Sequence, residues 1–148
     1  MSTLRNAAFL IFLSAGLVLA EPPAFQGYRN TIQVTPLIRT TETSAGQPIE
    51  YPKVAAPQVT AAMVEIPPGA ETGWHQHPYP CYAYVLSGEL TVYLANGDAH
   101  QIKAGQALVE SVNLAHNGKN TGTEPVKLVM FVTGEVNQPF TVKEAVPK

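Results

Sequence analysis

The sequence predicts an all-β fold, a sandwich or barrel of short strands. Three observations carry that prediction. Apart from an apolar run near the N-terminus, no stretch keeps a helical period without a glycine or proline interrupting it. Short segments rich in β-branched and aromatic residues recur between turn residues at regular spacing. Asn96-Gly97, flanked by alternating segments, is the strongest hairpin signal in the chain.

Taken in order, residues 1–20 read as a signal peptide. Arg5 precedes the apolar run 7–20, Val18 and Ala20 are small residues ahead of Glu21, and no acidic residue occurs before Glu21. The run is shorter than the ~20 residues a spanning helix needs. Cleavage after Ala20, a secreted or periplasmic location and no stable membrane insertion are therefore expected. Residues 21–58 read as an N-terminal arm with edge strands: 31–39 alternates, with Pro36 as a flaw, and 40–57 is rich in loop-forming residues. A barrel is expected over 59–148. Its strands are placed at 59–66, 72–77, 81–86, 89–94, 98–103 and 105–109, with a buried strand at 126–133.

Apolar residues make up 45% of the chain and charged residues 14%, enough for one packed core and too few charges for a disordered chain. A formal net charge of -2 gives no electrostatic footprint for nucleic acid or for an anionic membrane surface. Cys81 is the single cysteine, so no internal disulfide can form and stability rests on packing. No nucleophilic triad, phosphate-binding loop or paired-carboxylate site is present.

The chemistry concentrates in Trp74-His75-Gln76-His77. On a strand His75 and His77 point to the same face, and two imidazoles on one face are half of a metal site. Two surface histidines on a solvated strand would show the same pattern. The surroundings favour the metal. Gly69, five residues, His75-Gln76-His77, three residues, Cys81, six residues and Gly88 form one constellation. Gly105, five residues, Ser111-Val112-Asn113, two residues, His116, three residues and Asn120 form a second.

These two constellations resemble the paired motifs of the cupin superfamily, of the small single-domain, RmlC-like type. The resemblance implies a double-stranded β-helix (a jelly-roll barrel) with a divalent transition metal held inside it by His75, His77 and His116. It also implies a small-molecule ligand or substrate and a homodimer. The chain departs from the family pattern in three places. Ser111 and Asn113 replace a proline and a glycine, and asparagine tolerates the left-handed conformation such a turn needs. Cys81 stands where the family carries a glutamate.

Three readings of Cys81 stay open. As a thiolate ligand it would favour zinc or copper. As an unligated neighbour it would leave a three-histidine site of the thiol-dioxygenase kind, suited to iron. As a buried small hydrophobe it would only fill space. Glu110, just before the second turn, is a candidate substitute carboxylate, partner of a histidine, or general base, with a solvent-facing strand-end glutamate as the plain alternative. Trp74, Tyr79, Tyr82 and Tyr84 could line a pocket or serve as barrel core. Asn120 reads as a turn or pairing residue, Glu71 and Glu89 as rim charges, and His100 as exposed. Two functions follow: a metal-dependent, dioxygenase-like enzyme acting on a small organic molecule, or a non-catalytic periplasmic binder of a metal or small ligand.

Overall fold

A computed structural model describes residues 27–29 and 31–147. The expected signal peptide lies outside these residues. The described residues up to Thr35 belong to one unit, and the chain from Pro36 to a second. Within the first, residues 31–35 contain no strand.

The second unit contains nine strands among the described residues: β1 (Pro57–Ile66), β2 (His75–Gln76), β3 (Cys81–Ser87), β4 (Glu89–Leu94), β5 (Ala99–Lys103), β6 (Ala107–Val109), β7 (His116–Asn120), β8 (Val126–Glu135) and β9 (Val142–Lys143). They form two antiparallel sheets, in the orders β1-β8-β3-β6 and β5-β4-β7-β2-β9. Apart from the β4–β5 hairpin, sequential strands alternate between sheets, and this winding makes the all-β double-stranded β-helix that the motifs implied. No described helix is long and apolar enough to cross a membrane.

The two sheets bury one face each. In β3 the inward row is Cys81, Ala83 and Val85, and in β8 it is Val126, Leu128, Met130 and Val132. Leu90, Val92 and Leu94 from β4 and Ile102 from β5 belong to the same buried cluster. Burial of apolar surface at about 25 cal/mol per Å² is the main force holding the sheets together. The strand over 126–133 was expected to be buried, but it alternates: Phe131 is 47% exposed on the outer face.

Turn chemistry fixes the connections. Asn96-Gly97 makes the expected hairpin between β4 and β5, with Gly97 at φ 95° and Leu94 N–H donating to Asp98 O at 2.9 Å. Gly88 has φ 76°, and a Cβ there would stand 2.9 Å from the Pro125 carbonyl oxygen, so only glycine fits. Asn113 adopts φ 53° in place of the family's glycine.

Two expectations need correction. The expected strand over 31–39 does not form; from 31 to 56 the only pairing recorded among described residues is the bridge Glu42↔Pro48. Pro36 lacks the N–H that a ladder needs. Part of the segment over 40–57 is hydrogen-bonded to the residues around the end of β6. Ser44 N–H donates to Val109 O at 2.7 Å, and the Gln47 amide exchanges two 2.9 Å hydrogen bonds with the Val112 backbone, as a neighbouring strand would. The strand expected over 72–77 is reduced to His75–Gln76, because Gly73 turns the chain at φ 77°.

Candidate metal centre

Sheet register brings the histidines together. His75 on β2 pairs directly with His116 on β7, so their side chains share a face. His77 lies one residue beyond β2 and is held by a parallel bridge to Val112 and by Asn113 N–H donating to His77 O at 2.9 Å. The three rings stand 4.5–5.1 Å apart, centroid to centroid. His77 and His116 are each only 2% exposed.

Each ring is oriented by its Nδ1. His75 Nδ1 lies 2.8 Å from Gly73 O, His77 Nδ1 2.8 Å from Phe140 O, and His116 Nδ1 2.9 Å from Leu114 O. A carbonyl oxygen only accepts, so each Nδ1 carries the proton and donates. In the neutral ring, Nε2 is then left with its lone pair. This arrangement fixes the tautomer and aim of metal-binding histidines generally.

Glu110 completes the cluster. It follows β6 and is anchored by its N–H donating to Cys81 O at 2.9 Å. Its Oε2 lies 3.1 Å from His77 Nε2 and 3.0 Å from His116 Nε2. One ligand atom from each of His75, His77, Glu110 and His116 can be chosen so that all four lie within 4.8 Å of one another. Of the alternatives the sequence left open for Glu110, the structure puts it with the histidines and not at a solvent-facing strand end; its side chain is 14% exposed.

Electrostatics couple the group. Burial alone would raise the Glu110 carboxyl, but hydrogen bonds and charge attraction from His116 and His77 hold it well below the ordinary carboxylate range. Burial opposes the charge on His77, yet the Glu110 carboxylate outweighs it and the value is raised. His75, half-buried and beside the other two rings, is lowered, chiefly by burial. The donor set, three imidazole nitrogens and one carboxylate, fits a divalent transition metal.

Cys81 is not among these donors. Its side chain is fully buried in the core, and the thiol donates to the other carboxylate oxygen, Glu110 Oε1, at 3.6 Å. Burial and the adjacent carboxylate push its pKa far up, which keeps it a thiol. The carboxylate expected at position 81 is supplied from position 110. The signal for this was present in the sequence: an acidic residue inside an apolar stretch, in a chain whose usual acidic position is a cysteine.

The cluster opens into a cavity of about 510 Å³ within the barrel. Its walls include Val64, Ile66, Leu90, Val92, Leu128 and Met130, with Trp74, Thr141 and Lys143 also bordering it. Of the four aromatic residues weighed from sequence, Trp74 lines this cavity. Tyr79 packs against Gly134 and the core, and Tyr82 and Tyr84 lie on the face of β3 opposite the buried Cys81-Ala83-Val85 row. Asn120 is a turn anchor: its Nδ2 donates to Ile66 O and Glu124 O, and its Oδ1 accepts from Gly122 N–H. Glu71 pairs with Lys119 and Glu89 with Lys103, both at the surface. His100, expected to be exposed, is half-buried, and its Nε2 has no hydrogen-bond partner among the described residues.

Residues 62–132 match the family model described as "Cupin domain". A curated protein from Streptomyces cyaneus, "Polyketide synthase CurC", is 31% identical over 67 residues, which are 45% of this chain. The chain's match spans less than half of that relative, 43% of its length. Among solved structures, an uncharacterized conserved protein with a double-stranded β-helix domain from Klebsiella pneumoniae is similar with a TM-score of 0.51 at 24% identity, covering 64% of this chain and 90% of that one. The DMSP lyase DddQ from Ruegeria pomeroyi has a TM-score of 0.51 at 20% identity, covering 57% of this chain and 42% of that one. The oxalate decarboxylase of Lactobacillus farciminis has a TM-score of 0.51 at 24% identity, covering 57% and 26%. With the barrel and the paired motifs beside it, the family match makes residues 62–132 a cupin domain.

Proposed function

We propose that this chain is an exported metalloenzyme that holds one divalent transition metal on His75, His77, His116 and Glu110 and oxidises a small organic substrate in the barrel cavity. One observation carries the reading: the Nε2 lone pairs of His77 and His116 meet a Glu110 oxygen, a ring nitrogen of His75 lies within 4.8 Å of them, and every Nδ1 is tied to a backbone carbonyl. Acceptors aimed at one another repel unless positive charge sits among them.

Iron is the metal that the oxidising reading calls for, and a set of imidazoles with one carboxylate can hold it; the contact of the buried Cys81 thiol with Glu110 Oε1 supports a site without a thiolate. Such a metal supplies activation of dioxygen or polarisation of a bound substrate. The protein contributes the rest. The backbone carbonyls of Gly73, Phe140 and Leu114 fix the rings. Glu110 offers one oxygen to the histidine side and keeps the other on the Cys81 thiol. The apolar walls exclude water from the reacting atoms.

The test is dioxygen uptake by the iron-loaded protein with small organic substrates, beside a His77→Ala variant. Uptake that needs both iron and substrate, and is lost in the variant, supports the enzyme. Stoichiometric iron with no uptake on any substrate favours the non-catalytic binder.

Two further parts of the reading have their own support. Export rests on Arg5, the apolar run and Val18-Leu19-Ala20, and is tested by the N-terminal residue of protein recovered from the periplasmic fraction, which should be Glu21. A homodimer is supported by the outer face of the four-stranded sheet. Val59, Met63 and Phe131 are exposed there at 66%, 65% and 47%, and Ala61 pairs with Phe131 and Met63 with Val129 across β1 and β8. Sedimentation should give a dimer for the wild type and a monomer for Met63→Glu.

A further inference from the structure

Lys143 is exposed to solvent and also borders the cavity. It lies on the edge strand β9 directly opposite His75, and His75 lies directly opposite His116. Cross-strand partners project to the same face, so Lys143, His75 and His116 form one row running from the sheet edge to the cluster. Lys143 borders the same cavity as the histidines. The other lysines of the barrel strands are paired: Lys103 with Glu89, Lys119 with Glu71 and Lys127 with Glu65. Lys143 makes no ion pair with a described residue.

The lining of the cavity is otherwise strongly divided. Glu110 is already engaged by two histidines and a thiol, and the remaining wall is mainly aliphatic. An unpaired ammonium at the end of an apolar cavity selects a molecule with one anionic group and a compact apolar body. A divalent ion beside the single Glu110 charge would add to the positive field at that end.

We infer that the substrate is a small organic carboxylate whose anionic group meets Lys143 and whose apolar body lies against Val64, Leu90, Val92 and Met130. This rests on the metal-site reading above. Lys143 acts as a specificity determinant.

Trp74 is the only tryptophan and borders the cavity, so its fluorescence reports binding without turnover. Zinc-loaded protein is titrated with benzoate, benzamide and acetate, and metal content is measured on the same samples. Benzoate should bind more tightly than both. In Lys143→Gln the benzoate-over-benzamide ratio should fall about tenfold, the usual scale of one charge-assisted hydrogen bond, and Lys143→Arg should restore it. Acetate binding as tightly as benzoate would mean an anion site with no role for the apolar wall, and would overturn the inference. So would an unchanged ratio in Lys143→Gln, or no binding of benzoate to zinc-loaded wild type. Wild type that takes up no metal overturns the metal-site reading, and this inference with it.

Discussion

His77 Nε2 and Glu110 Oε2 face each other at 3.1 Å, although the Nδ1 of His77 is already committed to donating to Phe140 O at 2.8 Å. A neutral ring fixed in that way presents a lone pair to a carboxylate. The contact is favourable only if His77 carries a second proton or if a cation lies between the two groups. Proton and metal ion are therefore alternative occupants of one position, and acidity should set which one wins.

The raised value of His77 gives this competition a direction. In metal-free protein, the His77–Glu110 attraction contributes fully below the ordinary histidine value of about 6.5 and is lost as pH rises through the raised one. The depressed Glu110 contributes above the ordinary carboxylate value of about 4.3, and that contribution is lost as pH falls through its lowered one. His75, lowered by burial, works against the first effect, because charging it below about pH 6.5 costs stability. Metal needs the neutral rings, so the gain in melting temperature from metal should be larger at pH 8 than at pH 5.5. Thermal melts with and without chelator at the two pH values check this; an equal gain would speak against shared occupancy.

Cys81 should be dispensable for metal. Cys81→Ala removes a fully buried thiol and its 3.6 Å contact with Glu110 Oε1, at an expected cost of about 1 kcal/mol from the small cavity left behind. Metal content should stay stoichiometric. The wild-type thiol should resist thiol reagents until the protein is unfolded, since it is inaccessible and held protonated. Loss of metal in Cys81→Ala would mean that the thiol ligates after all.

Scaffold and site should separate in two other variants. Asn120→Ala orphans the carbonyls of Ile66 and Glu124 and the Gly122 N–H, an expected loss of about 2–4 kcal/mol. Gly88→Ala forces a side chain into the left-handed region and against the Pro125 carbonyl, and should cost at least about 1–2 kcal/mol. Denaturant melts measure both. While folded, each variant should hold metal as the wild type does.

Much of the fold was legible because local chemistry specified it. Asn96-Gly97 announced its hairpin, and Gly69, Gly88 and Gly105 all adopt positive φ at the turns where the spacing placed them. The spacing of His75, His77 and His116 likewise foretold their convergence. Strand β7 was not legible. His-Asn-Gly-Lys-Asn has no alternation and little strand propensity, and it is a strand because β4 and β2 flank it in the barrel. The role of Glu110 was only partly legible, because its meeting with His77 depends on long-range pairing such as the His77↔Val112 bridge. Spacing along the chain does not encode that pairing.

The most direct measurement is metal content by elemental analysis of the wild type and of Glu110→Gln, after loading and removal of free metal. The amide keeps the shape of the carboxylate and removes its charge. The expected result is about one metal ion per wild-type chain, with affinity lowered by at least about tenfold in a folded Glu110→Gln, the scale seen when a partner of a metal site is lost. A wild type that holds no metal would contradict the account at its centre, and a Glu110→Gln variant that binds as tightly as the wild type would remove the carboxylate from the site.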